Sequence, residues 1–131
     1  MQPVAIDVTD PSGAEKAAKI VKEATGQSGL QAVINNAGVI AQGPLEPVQP
    51  EELRRQFEVN TFGPVHVIQA FLPLLRTGTG RIINISAPTA RVPVLCMAPT
   101  GGSKAALAAF SDSLSCGSRQ PSATPADYRE Q

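Results

Sequence analysis

Residues 81–114 read RIINISAPTARVPVLCMAPTGGSKAALAAFSDSL. The opening, Arg81 to Ser86, is a short apolar run in which isoleucine recurs, the pattern of a buried strand. A proline-containing connection follows. A helical pattern then begins near Thr100 to Ser103, carries Lys104 in its first turns and runs through Leu107, Phe110 and Leu114. Thr100, ahead of Gly101 and Gly102, reads as the helix cap. Strand, loop and helix in that order form one unit of an α/β protein, in which ligands sit at the C-terminal ends of strands.

The upstream residues repeat the unit. Val4-Ala5-Ile6-Asp7-Val8 reads as a strand that delivers Asp7 to its C-terminal end, and Asp10-Pro11 as the N-cap and first residue of a helix. Ala14, Ala17, Ala18, Val21 and Ala24 recur at helical spacing, with Glu15, Lys16, Lys19, Lys22 and Glu23 largely elsewhere and Gly26 as the stop. Leu30 to Ile34 predicts a second strand, broken by Asn35-Asn36-Ala37-Gly38, and residues 39–49 predict a loop. Pro50-Glu51-Glu52-Leu53 opens another helix with acidic residues at its positive end. Val65, Ile68, Phe71, Leu72 and Leu75 continue its apolar face to about Arg76, with a kink expected at Asn60 to Pro64, where Gly63-Pro64 interrupts the ladder. Thr77 to Gly80 predicts a turn. The alternation predicts a parallel-sheet α/β domain over 1–114, and 115–131 an unpatterned, poorly ordered tail holding Tyr128, the only tyrosine.

Composition narrows the function. Eleven basic and eleven acidic side chains balance, and the basic ones form no stripe, which argues against nucleic acid and against an anionic membrane surface. No apolar run reaches the roughly 18 residues of a membrane span, and no signal pattern opens the chain, so a cytoplasmic location is expected. Cys96 and Cys116 have no metal spacing and are expected as reduced thiols; no metal site is expected.

Asn35-Asn36-Ala37-Gly38, Val59-Asn60-Thr61, Gly80-Arg81-Ile82-Ile83-Asn84-Ile85-Ser86 and Ser103-Lys104-Ala105-Ala106-Leu107 stand in an order and spacing that resemble the short-chain dehydrogenase/reductase family. The resemblance covers about residues 4–114. It implies an incomplete Rossmann-type doubly wound parallel sheet, with family strands three to five and their following helices. It also implies an NAD or NADP cofactor and hydride transfer between a nicotinamide and an alcohol or carbonyl, with a small-molecule substrate. By resemblance Asp7, with Val8, lies near the adenine; Asn36, Ala37 and Gly38 line the cofactor ribose; Asn60 is the catalytic asparagine that holds a water; and Lys104 binds the nicotinamide ribose and lowers the pKa of a catalytic tyrosine. Taken singly, the same residues read otherwise: Asp7 and the Asn-Asn-Ala-Gly as turns, Asn60 as relief of a broken helix, Lys104 as a solvated helix lysine.

Two positions depart from the family. The tyrosine position, one helical turn before Lys104, is Thr100, and the serine position, thirteen residues earlier, is Ala87 with Ser86 beside it. A phenol of pKa ~10 can be brought toward neutrality by a neighbouring ammonium, whereas an aliphatic hydroxyl cannot. The family's glycine-rich turn, Thr-Gly-x-x-x-Gly-x-Gly, occurs nowhere in the chain, and the composition changes after Leu114 in the way a shifted frame or exon boundary would produce. The expectation is a fragment without dehydrogenase activity. The alternatives are a non-catalytic subunit that pairs, as homo- or hetero-oligomer, through the helices around 60–76 and 100–114, and a non-functional gene-model fragment.

Overall fold

In the computed structural model, which describes residues 3–117, two short strands pair in parallel: β1 (Ala32–Asn35) and β2 (Arg81–Asn84), with Val33 opposite Ile82 and Asn35 opposite Asn84. Parallel strands need a long crossover. Here it is α2 (Pro50–Phe57), a π-helical turn (Glu58–Phe62) and α3 (Gly63–Thr77); α1 (Pro11–Thr25) precedes β1 and α4 (Ala98–Gly117) follows β2.

Local chemistry sets the helix ends. The Asp10 side chain accepts from the Ser12 N–H at 2.9 Å with Pro11 behind it, and Gly26, at φ 56°, closes α1. Ala14, Ala17 and Ala18 pack against Val67, Phe71, Leu74 and Leu75 of α3, and Val33 joins them from the sheet. Ala24 is exposed: helical steps place it about 80° from Ala14, at the rim of the stripe. On α3, Val65 and Leu72 are only half-buried, and Val67 and Leu74 carry the contact with α1 beside Phe71 and Leu75. The kink expected near Asn60 is the π-helical turn, in which the Gly63 N–H reaches back five residues to the Glu58 carbonyl.

Other expectations are corrected. Val4 to Asp7 has no regular secondary structure and Val8 opens a turn; the stretch belongs to no sheet, because no described residue runs beside it to complete a ladder. Packing holds it instead: Val4 and Val8 lie against the core, and the Val8 carbonyl lies 3.2 Å from His66 Nδ1. β1 begins at Ala32 rather than Leu30, whose N–H is taken by the Leu74 carbonyl at 2.9 Å. β2 ends at Asn84, and the Ile85 N–H gives the Asn35 carbonyl a further bond of 2.9 Å; Ser86 lies beyond it, exposed. α4 starts at Ala98 and carries Ser115 to Gly117 within the helix. Residues 118–131 of the expected tail, with Tyr128, lie outside the described residues.

The sheet is covered on one face. Val33 and Ile82 face the helices, whereas Ile34, Ile83 and Ile85 on the other side are 60%, 39% and 41% exposed. This is an incomplete α/β Rossmann-type arrangement. No described helix is long and apolar enough to cross a membrane.

Candidate functional site

The C-terminal ends of both strands are tied to α4. Asn35 Nδ2 donates to Asn84 Oδ1 at 2.8 Å, Asn84 Nδ2 to Ser111 Oγ at 2.7 Å, and Ser111 Oγ to the Leu107 carbonyl at 2.8 Å. The chain then leaves β1 through Asn36, Ala37 and Gly38, all exposed at the strand end.

Asn60 grips the loop just beyond Gly38. The wide π-helical turn faces its side chain inward, fully buried. Its Oδ1 accepts the Val39 N–H at 2.8 Å, and its Nδ2 lies 2.9 Å from the Val39 carbonyl, 3.1 Å from Ser103 Oγ and 3.3 Å from Gln56 Oε1. A backbone N–H can only donate, so this pairing sets the orientation of the amide. Two residues on, Thr100 Oγ1 lies 3.2 Å from both the N–H and the carbonyl of Ala41, and 3.3 Å from Gln56 Oε1. Side chains from two different elements thus hold alternate residues of one loop.

Thr100 is therefore not a helix cap. α4 begins two residues earlier, where Pro99, lacking an N–H, suits the first turn; Thr100 is helical and buried. The Ser103 hydroxyl donates to the Thr100 carbonyl at 2.9 Å, and the Thr61 hydroxyl donates to the Ser103 carbonyl at 2.8 Å. These bonds satisfy the polar groups packed between α4 and the π-helical turn.

Lys104 is 8% exposed, and its Nζ donates to the Ile85 carbonyl at 2.7 Å. Burial lowers its pKa from the ordinary lysine value of 10.5. The ion pairs among the described residues join arginines to carboxylates at the surface, and none involves Lys104. A Cβ placed on Gly38 would stand 3.2 Å from Asn60 Oδ1 and 3.4 Å from Lys104 Nζ, so bare backbone keeps a space between the amide and the amine. A depressed lysine pKa in the folded state means that unfolding takes up a proton between the folded value and 10.5. Stability is expected to rise with pH across that window, with the penalty for burying the ammonium present in full below it. Urea unfolding of the wild type and Lys104→Met in a pH series checks this: the rise should be absent from the variant.

The structure brings Gly38, Asn60 and Lys104 together, with Asn36 and Ala37 on the same loop. Asp7 and Val8 lie elsewhere. The Asp7 carboxylate accepts from the Thr9 hydroxyl at 2.7 Å and the Thr9 N–H at 2.9 Å, which together hold its pKa below the usual carboxylate value. Val8 packs where a Cβ on Gly63 would fall, at the start of α3. Ala87 is extended before a 3-10 turn (Pro88–Ala90) and brings no hydroxyl. Three contributors escaped the sequence reading: Gln56, the Ser103 hydroxyl and the Ile85 carbonyl. Gln56 lies four residues before Asn60, a register legible in a helix; the Ile85 carbonyl leaves no side-chain signal.

The family profile described as short chain dehydrogenase matches residues 1–121. Retinol dehydrogenase 5 of Mus musculus is 41% identical over 114 residues, covering 83% of this chain and 34% of the relative. The 11-beta-hydroxysteroid dehydrogenase type 2 of Homo sapiens is 37% identical over 114 residues, covering 85% and 28%. The chain thus spans about a third of the length of such relatives. Among solved structures, the NADPH-bound carbonyl reductase from chicken fatty liver superposes with a TM-score of 0.82 at 30% identity, over 88% of this chain and 52% of that one. A short-chain dehydrogenase from Streptomyces avermitilis gives 0.81 at 31%, over 88% and 43%. A shared sequence register, a shared fold and the asparagine and lysine beside an open glycine lead to one conclusion: this chain belongs to the short-chain dehydrogenase family, whose members are NAD(P)-dependent oxidoreductases.

Proposed function

We infer that the chain carries the nicotinamide-ribose side of a short-chain dehydrogenase site and, as encoded, does not transfer hydride. The observation that carries this reading is Thr100. It holds the position of the family's proton donor, and its hydroxyl is engaged with the Ala41 backbone and Gln56. Its aliphatic pKa is far too high for an acid or base near neutrality. Ala87, at the serine position, has no hydroxyl to orient a carbonyl.

The space beside Gly38 supports a fit to the ribose end of a nicotinamide cofactor. The Lys104 ammonium would donate to ribose hydroxyls, Gly38 would allow the ring to approach the backbone, and Asn60 would hold the loop that shapes this wall. Bound NAD(P) supplies the hydride donor or acceptor. Asn36 and Ala37 are assigned to the same wall, and Asp7 with Val8 to the adenine side, by register with the family. The names of the relatives, a retinol and a hydroxysteroid dehydrogenase, favour an apolar alcohol or carbonyl as the substrate class of the whole protein.

Purified chain, mixed with NADH or NADPH and an apolar aldehyde or ketone, is expected to oxidise no cofactor above the protein-free background. Steady turnover abolished by Lys104→Met would overturn the reading.

Two exposed aromatics, Phe62 beside α3 and Phe110 on α4, favour a second reading in which these helices pair with those of an intact relative. Co-expression with a full-length member should then yield a mixed dimer by native mass, lost in Phe62→Ser with Phe110→Ser. Separate species would rule this reading out.

A further inference from the structure

The geometry points to Lys104 as a nucleophile that forms an imine with an apolar aldehyde. A buried lysine is ordinarily paired with a carboxylate, or it serves chemistry. Among the described residues this one has neither a carboxylate partner nor the tyrosine that its family position implies; the residue one turn before it is Thr100, whose hydroxyl is engaged elsewhere. Its single described hydrogen bond, to the Ile85 carbonyl, uses one N–H and leaves the nitrogen lone pair of the neutral amine without a donor to occupy it. Burial, with no counter-charge among the described residues, favours that neutral form.

The amine also lies beside exposed chain. Gly38 is exposed, and Nζ lies 3.4 Å from where a Cβ on it would stand. Ile85, on the other side, is 41% exposed, and Ser86 next to it is exposed. From these two neighbours of the amine run the loops 39–49 and 86–97, joined by the Gly43 N–H to the Cys96 carbonyl at 2.9 Å. Their apolar side chains stand out from the surface: Ile40 and Leu45 on one, Val92, Val94 and Leu95 on the other. Asn60 and Thr100 hold the backbone of Val39 and Ala41, so Ile40 between them is fixed facing outward. An alkyl chain on the aldehyde could lie along this rim with its carbonyl at Gly38.

The chemistry needs no oxidant. The amine lone pair adds to the carbonyl carbon as the C=O π pair moves to oxygen, and one proton passes from nitrogen to that oxygen to give the carbinolamine; the nitrogen lone pair then forms C=N as the C–O bond breaks, and the second N–H proton leaves with the oxygen as water. Aldehyde and amine give imine and water. The inference takes its carbonyl class from the function proposed above but does not depend on cofactor binding.

The test is reductive trapping without nicotinamide. The full chain is incubated with hexanal and sodium cyanoborohydride near neutral pH, and each lysine is followed by peptide mass. Cyanoborohydride reduces the C=N bond and leaves a stable alkyl amine. Lys104 is expected to be alkylated about tenfold faster than Lys16, Lys19 and Lys22 on the solvated side of α1, and glyceraldehyde to show less preference for it. In Lys104→Arg the fast adduct should vanish while the α1 lysines react as before. Alkylation of Lys104 no faster than the α1 lysines, or none at all, overturns the proposal. A chain that fails to bind NAD(P) yet traps hexanal at Lys104 would sink the ribose-wall reading and leave this one standing.

Discussion

Asn60→Ala is expected to cost about 3 kcal/mol of folding stability, although it removes only a small polar side chain. The amide is fully buried, and both backbone groups of Val39 pair with it. Deleting it strands that N–H and that carbonyl, and takes a partner from Ser103 Oγ and Gln56 Oε1. Stranded polar groups carry a larger penalty than the bonds themselves are worth, so the effect should exceed that of an exposed asparagine several-fold. Asn60→Asp is no rescue: it keeps an acceptor for the Val39 N–H but turns a second oxygen toward the Val39 carbonyl. Urea unfolding measures the loss, and amide exchange at Val39 localises it. A midpoint close to the wild type, with Val39 still protected, would mean that the loop is held by other contacts.

Gly80→Ala is expected to be at least as costly, about 3 kcal/mol or more, through sterics alone. A Cβ there would collide with the Leu30 carbonyl oxygen and fall 2.7 Å from Leu75 Cδ2 and 3.1 Å from the Gln31 carbonyl carbon. Backbone cannot give way as a side-chain tip can. The displaced segment also carries the bond from the Arg81 N–H to the Gln31 carbonyl, 3.0 Å long, which leads into the β1–β2 ladder. Gly26→Ala makes the useful contrast. Its φ of 56° strains an alanine, but nothing lies within 4 Å, so a loss of about 1 kcal/mol is expected. Equal losses at Gly26 and Gly80 in urea unfolding would contradict the steric account.

Much of this was legible in the residues. Asp10-Pro11 and Gly26 announce the ends of α1 because capping is a contact between near neighbours in the chain. Gly63-Pro64 announces the break that becomes the π-helical turn, because a proline removes a donor wherever it stands. The spacing of Asn36, Asn60 and Lys104 identified the family before any fold was in view. Gly38, Asn60 and Lys104 then met in space; Asp7, assigned by register to the adenine side, is held by Thr9 at the approach to α1.

The sequence by itself determined the helices in outline, the cap and stop of α1, the break before α3, and the membership of the family, since each depends on side chains a few residues apart or on a register along the chain. The tertiary structure alone decided that Val4 to Val8 is not a strand, that Thr100 holds a loop instead of capping a helix, and that Lys104 lies buried with no counter-charge among the described residues. Each of those outcomes depends on what lies alongside in space. A ladder needs a neighbour, the partner of Thr100 is 59 residues away at Ala41, and the charge state of a lysine depends on the water and the carboxylates that folding removes from its side.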